Sequence, residues 1–252
     1  MKLFSIIKGS ILTATILVVA SCAKEAETTH IGEISDLSNK ALVQVYNAIV
    51  TSPGSFISVD NAQINGTATA SALGYGSAFP TSSFFVAEPG LRLLNVKPSV
   101  ATSTQTIMNF SETFNPGSRY SIFLYDTLNA AKQITVQANI EIPSDTSARL
   151  RFANFAYFPG GAPAIDIYSV KKKANVATNL AFTQVTQYIP HPAAIADSFI
   201  VRQNIAPNTA LDTLIFNPTR KRSYTLLFRG RYRTNEANGA SSPRVLTPIA
   251  NY

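Results

Sequence analysis

In segments that recur along the chain, apolar side chains fall at every second position. Val43, Val45 and Asn47 share one face of such a run, and Leu150, Phe152 and Asn154 share one face of another. A period of two is the mark of a half-buried strand. Val, Ile, Phe, Tyr and Thr fill these runs, and Pro, Gly and Asn punctuate them. No long segment of period 3.6 follows Cys22, so the pattern predicts an all-β body.

The pattern also repeats. Ala41-Leu-Val-Gln-Val-Tyr-Asn47 corresponds to Ala148-Arg-Leu-Arg-Phe-Ala-Asn154, and each is followed by a Pro-Gly turn, at Pro53-Gly54 and Pro159-Gly160. Phe56-Ile-Ser-Val59 then corresponds to Ile165-Asp-Ile-Tyr168, and Leu73 to Val96 corresponds to Leu180 to Val201. Last, Tyr120-Ser-Ile-Phe-Leu-Tyr125 corresponds to Tyr224-Thr-Leu-Leu-Phe-Arg229, each after an Asn-Pro turn at Asn115-Pro116 or Asn217-Pro218. Four collinear correspondences predict a duplication. The expectation is two tandem antiparallel Ig-like β-sandwich domains, 41–140 and 141–252, the second opening with a turn-rich linker at 141–147; a single fused sandwich is the alternative. Asn47 and Asn154, on apolar faces, are expected to brace the neighbouring Pro-Gly loops, because a buried amide must be paired. Tyr120 and Tyr224 are placed to act as tyrosine corners, with the hydroxyl bonded back to the preceding turn.

The first residues differ in kind. Lys2 and Lys8 precede an apolar run from Ile11 to Val19, which closes in Val19-Ala20-Ser21-Cys22. The run is too short to span a bilayer and is followed at once by polar residues, as in a signal peptide. An aliphatic residue, two small ones and Cys resemble the bacterial lipobox, in which the Cys thiol receives diacylglycerol. Residues 1–21 are therefore expected to be a lipoprotein signal peptide, Cys22 the lipidation site and 22–40 a polar tether. Each buried methylene adds about 0.8 kcal/mol, so two or three acyl chains anchor stably.

A more specific resemblance runs through Leu150-Arg-Phe-Ala-Asn154, Pro159-Gly-Gly-Ala-Pro163, Ile165-Asp-Ile-Tyr168 and Tyr224-Thr-Leu-Leu-Phe-Arg-Gly230. This order resembles the domain of unknown function 4397 (DUF4397) family. The first unit departs from it, with Ser58 where Asp166 stands and Asp126 where Gly230 stands. The resemblance implies Ig-like β-sandwiches in bacterial envelope proteins, often lipoproteins. It offers no catalytic or binding residues to carry over, and it makes the outer membrane the expected attachment.

Composition narrows the chemistry. Among 252 residues there are one Cys, two His and no Trp, against 15 Phe and 10 Tyr. Disulfide frameworks and cysteine or multi-histidine metal sites are therefore hard to build, and neither metal nor cofactor is expected. His30 lies in the tether, which leaves His191 as the one histidine of the body, between Pro190 and Pro192 in an expected loop, with no Gly-x-Ser-x-Gly elbow to accompany it. The carboxylates are scattered, with no local pair of the kind a glycosidase uses. Asp166 reads as a turn-bracing or solvent-facing residue.

Two features could bind a ligand. Basic residues gather in the second unit, at Lys171-Lys172-Lys173, Arg220-Lys221-Arg222, and the alternating Arg229, Arg231 and Arg233. On a strand the last three would project from one face at intervals of about 6 to 7 Å, suited to sulfate, carboxylate or phosphate groups of a polymer. Alternatively they are a solvated strand whose charges discourage edge pairing. Tyr157 and Phe158 lead into the Pro159-Gly160 loop and are candidates for stacking on sugars. With a net charge of +7 and an exported location, nucleic acid is not an expected partner. The leading expectation is a non-enzymatic, lipid-anchored cell-envelope protein, facing periplasm or cell surface, whose two sandwiches bind polysaccharide or another envelope protein. A glycan-acting hydrolase and a structural spacer or assembly subunit are the competing classes.

Overall fold

The computed structural model describes residues 37–140, 142–233 and 242–252. The signal peptide, Cys22 and most of the tether lie outside the described residues. The first half of the body contains β1 (Ala41–Asn47), β2 (Ser55–Val59), β3 (Ala62–Gln63), β4 (Ala78–Phe79), β5 (Phe85–Ala87), β6 (Gly90–Pro98), β7 (Met108–Phe114), β8 (Arg119–Tyr125) and β9 (Lys132–Gln137). The second half contains β10 (Ala148–Tyr157), β11 (Ile165–Ser169), β12 (Ala174–Leu180), β13 (Ile189–His191), β14 (Asp197–Gln203), β15 (Ala210–Phe216), β16 (Ser223–Arg231) and β17 (Val245–Ala250). No described helix is long and apolar enough to cross a membrane.

Each half forms two sheets. The first builds β4-β1-β8-β9, with β5 also on β1, and β3-β2-β6-β7; the second builds β13-β10-β16-β17 and β12-β11-β14-β15. Among the described residues no strand pairing crosses between the halves. The pairing departs from the purely antiparallel expectation at two places, because β1 runs parallel to β8 and β10 runs parallel to β16. Parallel neighbours need a long crossover, and here the chain that builds the opposite sheet supplies it.

The faces predicted to point inward do so. Val43, Val45, Ile122 and Leu124 meet Ile57, Leu94, Val96 and Phe114 in one core. Leu150, Phe152, Leu226 and Phe228 meet Ile165, Ile167, Phe199 and Val201 in the other. The duplicated side chains repeat their bonds. Asn47 Nδ2 donates to Leu73 O at 2.9 Å and its Oδ1 accepts from Ile49 N at 3.1 Å; Asn154 donates to Leu180 O at 3.0 Å and accepts from Ala156 N at 3.3 Å. Asn47 also reaches Ser52 Oγ, which holds Gly54 N, so it braces its Pro-Gly loop as expected. Asn154 does not, since its partners are Leu180 and its own strand. The Tyr120 hydroxyl accepts from Asn115 N at 2.9 Å and the Tyr224 hydroxyl from Thr219 N at 3.2 Å, closing both corners.

The strands of the two central sheets are not half-buried. Their second faces pack on each other, so a third core of Tyr46, Phe123, Ala153, Phe155, Leu227 and Ile249 joins the halves. Phe123 stacks between Tyr46 at 4.5 Å and Phe155 at 4.6 Å. Beside this stack lies a fully buried polar layer. Arg151 donates through Nε to Thr225 Oγ1 at 2.8 Å and through Nη2 to Ser121 Oγ at 2.5 Å, and its guanidinium faces the Tyr188 ring at 4.8 Å. Gln44 donates to Ala250 O at 3.0 Å and accepts from Asn251 Nδ2 at 2.7 Å. A buried guanidinium is costly to desolvate, and hydroxyls with a ring face offset that cost here in place of a carboxylate.

This register also aligns the halves. Gln44, early in β1, meets Asn251, which bonds Ser223 at the start of β16. Further along, Tyr46 meets Thr225, and Gly76, bonded to Asn47 O, lies against Arg229. The strands β1, β8, β10 and β16 therefore all start at one end of the body, called here the near end, and finish at the far end.

Candidate functional site

At the far end β10 finishes in Tyr157, paired with Arg231 of β16. Here the arginine row and the aromatic candidates come together. The guanidinium of Arg231 lies 5.9 Å from the Tyr157 ring centre, and that of Arg233 lies 4.7 Å from Phe158. Arg229 behaves differently. It reaches across to the first sandwich, 4.4 Å from the Tyr75 ring, and its Nε donates to Thr247 Oγ1 at 3.1 Å. Gly76 leaves room for it, since a Cβ there would collide with the guanidinium. The three side chains thus do not form the open row that their alternation predicts. Arg229 and Arg233 each lie close over a ring, Arg231 stands farther from its own, and Arg229 is a clamp between the sandwiches. Tyr157 and Phe158 are half-buried, and each has one face turned to an arginine.

Gly230 permits the arrangement. Its φ is +97°, and a Cβ would strike Pro243 O, so only glycine lets the segment from Pro243 approach β16 this closely. A stacked guanidinium keeps its N–H donors in plane and already oriented, the form in which arginine grips carboxylate, sulfate or phosphate.

A cleft of about 430 Å³ opens at the same end, between β7 and β9. Ile107, Phe110, Tyr125, Lys132 and Gln133 line it. Lys132 is paired with Asp126 at 2.8 Å, and this bond first, with the carboxylate's charge second, holds the ammonium pKa above its ordinary value. In the second sandwich the corresponding gap is bridged, as Arg244 Nε donates to Leu211 O and Leu246 N to Asp212 Oδ2. No residue pattern marks this cleft, which depends on how far apart two edge strands stand.

Lys171, Lys172 and Lys173 are not part of the far-end site. They form the exposed β11–β12 turn, and Lys172 Nζ donates to Pro190 O, whose residue pairs with Arg149 near the start of β10. The length of β10 separates them from Arg231, roughly 25 Å at strand rise.

The residues considered for catalysis are occupied. His191 is not in a loop; it closes β13, and its buried Nε2 lies 3.1 Å from Asp197 Oδ2. Asp197 also accepts from Ser169 Oγ at 2.5 Å and Lys171 N at 2.9 Å. The carboxylate is thus central and the hydroxyl donates to it, so the histidine does not touch the serine as a nucleophile-activating base must. Burial first, and the Lys172 charge second, push the His191 pKa down. Asp166 braces its turn as expected, accepting from Asn179 N, Asn175 and Asn204. The other described carboxylates are also engaged: Asp60 with Leu93 N and Arg92, Glu88 with Lys40, Glu112 with Thr135, Asp145 with Ser147, and Asp212 as above. Among the described residues no group of His, Cys, Asp and Glu could hold a metal ion.

A family model, the domain of unknown function DUF4397, matches residues 41–168. The chain belongs to the DUF4397 family. The match covers the whole first sandwich and continues through β10 and into β11. The match takes in three of the four motifs that carry the resemblance, from Leu150 to Tyr168, together with the unit that departs from them at Ser58 and Asp126. No curated protein matches the chain. Solved structures that align with it include the crystal structure of CBMbc, family CBM26, from Eubacterium rectale Amy13K in complex with maltoheptaose. That alignment has 14% identity, covers 76% of this chain and 92% of that one, and has a TM-score of 0.25.

Proposed function

We propose that this DUF4397 protein is a lipid-anchored, non-enzymatic component of the bacterial cell envelope, attached through Cys22, whose body binds an anionic polysaccharide at the far end. One observation carries the reading: two guanidiniums, of Arg231 and Arg233, gathered near Tyr157 and Phe158 at the same end of the body as an open cleft. Rings supply apolar faces for sugar and the arginines supply oriented donors for its acidic groups. The engagement of the described carboxylates in structural bonds favours binding over glycan hydrolysis, which needs two free carboxyls on either side of a substrate.

Binding of the full chain carrying Cys22→Ser to a panel of neutral and acidic glycans tests the reading. Acidic glycans are expected to bind with salt-sensitive affinity, and Arg231→Ser with Arg233→Ser is expected to weaken them at least tenfold. Silence across the panel would remove the polysaccharide reading. Anchoring is tested separately: wild-type protein is expected in the membrane fraction at lipid-modified mass, and the Cys22→Ser protein in the soluble fraction.

A further inference from the structure

Two basic turns lie at the near end. The β11–β12 turn carries Lys171, Lys172 and Lys173, and the β15–β16 turn carries Arg220, Lys221 and Arg222, all six exposed. The two turns are neighbours. Lys172 Nζ bonds Pro190 O, Pro190 pairs with Arg149, Arg149 N bonds Arg222 O, and Ala194 N bonds Pro218 O in the second turn. None of the six forms an ion pair with a described carboxylate; the ion pairs at this end belong to Lys40, Arg92 and Arg149. The carboxylate nearest the lysine turn, Asp197, is buried and already holds Ser169 and Lys171 N.

The described chain also begins at this end. Lys40 O accepts from Gly117 N, and Leu42 N donates to Ser118 O, in the turn that opens β8. Only residues 23–36 separate Cys22 from Leu37, a span of at most about 50 Å at full extension. The end of the body that leads back along the chain to Cys22 is thus the end that carries the two basic turns. We propose that the near end is a membrane-facing surface, on which Lys171, Lys172, Lys173, Arg220, Lys221 and Arg222 engage anionic phospholipid headgroups of the bilayer that holds Cys22. It rests on the anchoring reading. Docked in this way, the body turns Arg231, Arg233 and the cleft away from the bilayer.

The test uses the unlipidated full chain, Cys22→Ser, so that acyl chains do not mask the contact and a failure of anchoring leaves the result interpretable. Co-sedimentation is measured with vesicles of phosphatidylcholine alone and with a one-third share of phosphatidylglycerol. Binding is expected only to the anionic vesicles and is expected to weaken with salt as screening shortens. Each basic residue brought to such a surface strengthens partitioning by roughly fivefold, so neutralising one turn is expected to weaken binding by about a hundredfold. The variants are Lys171→Ser, Lys172→Ser, Lys173→Asn together, and Arg220→Ser, Lys221→Asn, Arg222→Ser together, with Asn where φ is positive, at 52° and 57°. Neither removes a side chain from a core, and matching thermal melts will establish that both fold. Arg231→Ser with Arg233→Ser is expected to leave vesicle binding unchanged. Equal binding to neutral vesicles, no binding to anionic ones, or equal loss in the far-end variant would each overturn the proposal. So would capture of the near end by dextran sulfate without vesicle binding, which would make it a site for a soluble polyanion.

Discussion

Replacing Asn47 by Ala exposes how the body is held together. The side chain makes three buried bonds, to Leu73 O at 2.9 Å, from Ile49 N at 3.1 Å and to Ser52 Oγ at 3.3 Å. Leu73 O keeps a second donor in Ser55 N, and Ser52 Oγ keeps Gln105, but Ile49 N has no other bond in this fully buried turn. An orphaned buried N–H costs about 1–3 kcal/mol and a lost bond about 1, so the substitution is expected to cost about 3 kcal/mol. Asn154→Ala removes two bonds and is expected to cost about 2 kcal/mol. In a domain of this size each kcal/mol lowers Tm by roughly 2–4 °C, giving about 6–12 °C for Asn47→Ala. Calorimetry of the two single variants and the double variant measures these shifts. Because Phe123, Phe155 and the Arg151 layer bind the sandwiches into one body, a single transition is expected. The double variant should then equal the sum of the singles within about 0.5 kcal/mol. Two separated transitions, each moved by only one substitution, would refute the cooperative body. A cost below about 0.5 kcal/mol for Asn47→Ala would refute the hydrogen-bond reasoning.

Three further outcomes are expected. His191 has a folded-state pKa below the ordinary 6.5, so the unfolded chain takes up this proton first. Its contribution to stability is complete above about 6.5 and is lost as pH falls from there toward the folded value; His191→Gln should flatten this part of a urea-midpoint profile. Gly230→Ala, at φ +97° and facing Pro243 O, is expected to cost several kcal/mol, on the order of 3, and to displace β17 from β16, read by hydrogen exchange at Leu226 to Arg229. Arg229→Ala should lower stability by about 1–2 kcal/mol through loss of the Tyr75 stack and the Thr247 bond. It should leave glycan affinity within twofold of wild type, in contrast with Arg231 and Arg233.

What could be read from the sequence was local. The alternation of Val43 and Val45, the two Asn-Pro-to-Tyr corners and the recurrence of Asn47 as Asn154 each depend on residues close along the chain, and each corresponds to a bond or a buried face. The join between the sandwiches could not be read. Gln44, Ser121, Arg151 and Thr225 alternate with apolar residues as solvent-facing side chains do, and only the opposing sheet makes them interior. The arginine row failed for the same reason. Arg229 differs from Arg231 because Tyr75, far away in sequence, lies over one and not over the other. The opposite placement of Lys171–Lys173 follows from the direction of β11, which alternation does not reveal.

The join between the sandwiches has the character of a dimer interface written into one chain. The halves share a strand direction and meet through corresponding faces, as two copies do about a two-fold axis. Under the duplication Gln44 is the counterpart of Arg151, and Ser121 is the counterpart of Thr225. Two copies of the second half, joined in this manner, would bring a pair of Arg151 guanidiniums into one dry layer with no anion between them. The exchange of arginine for glutamine in the first half relieves that repulsion and lets a single cation share the hydroxyls of both. At this position the second sandwich is matched to the first, and mismatched to itself.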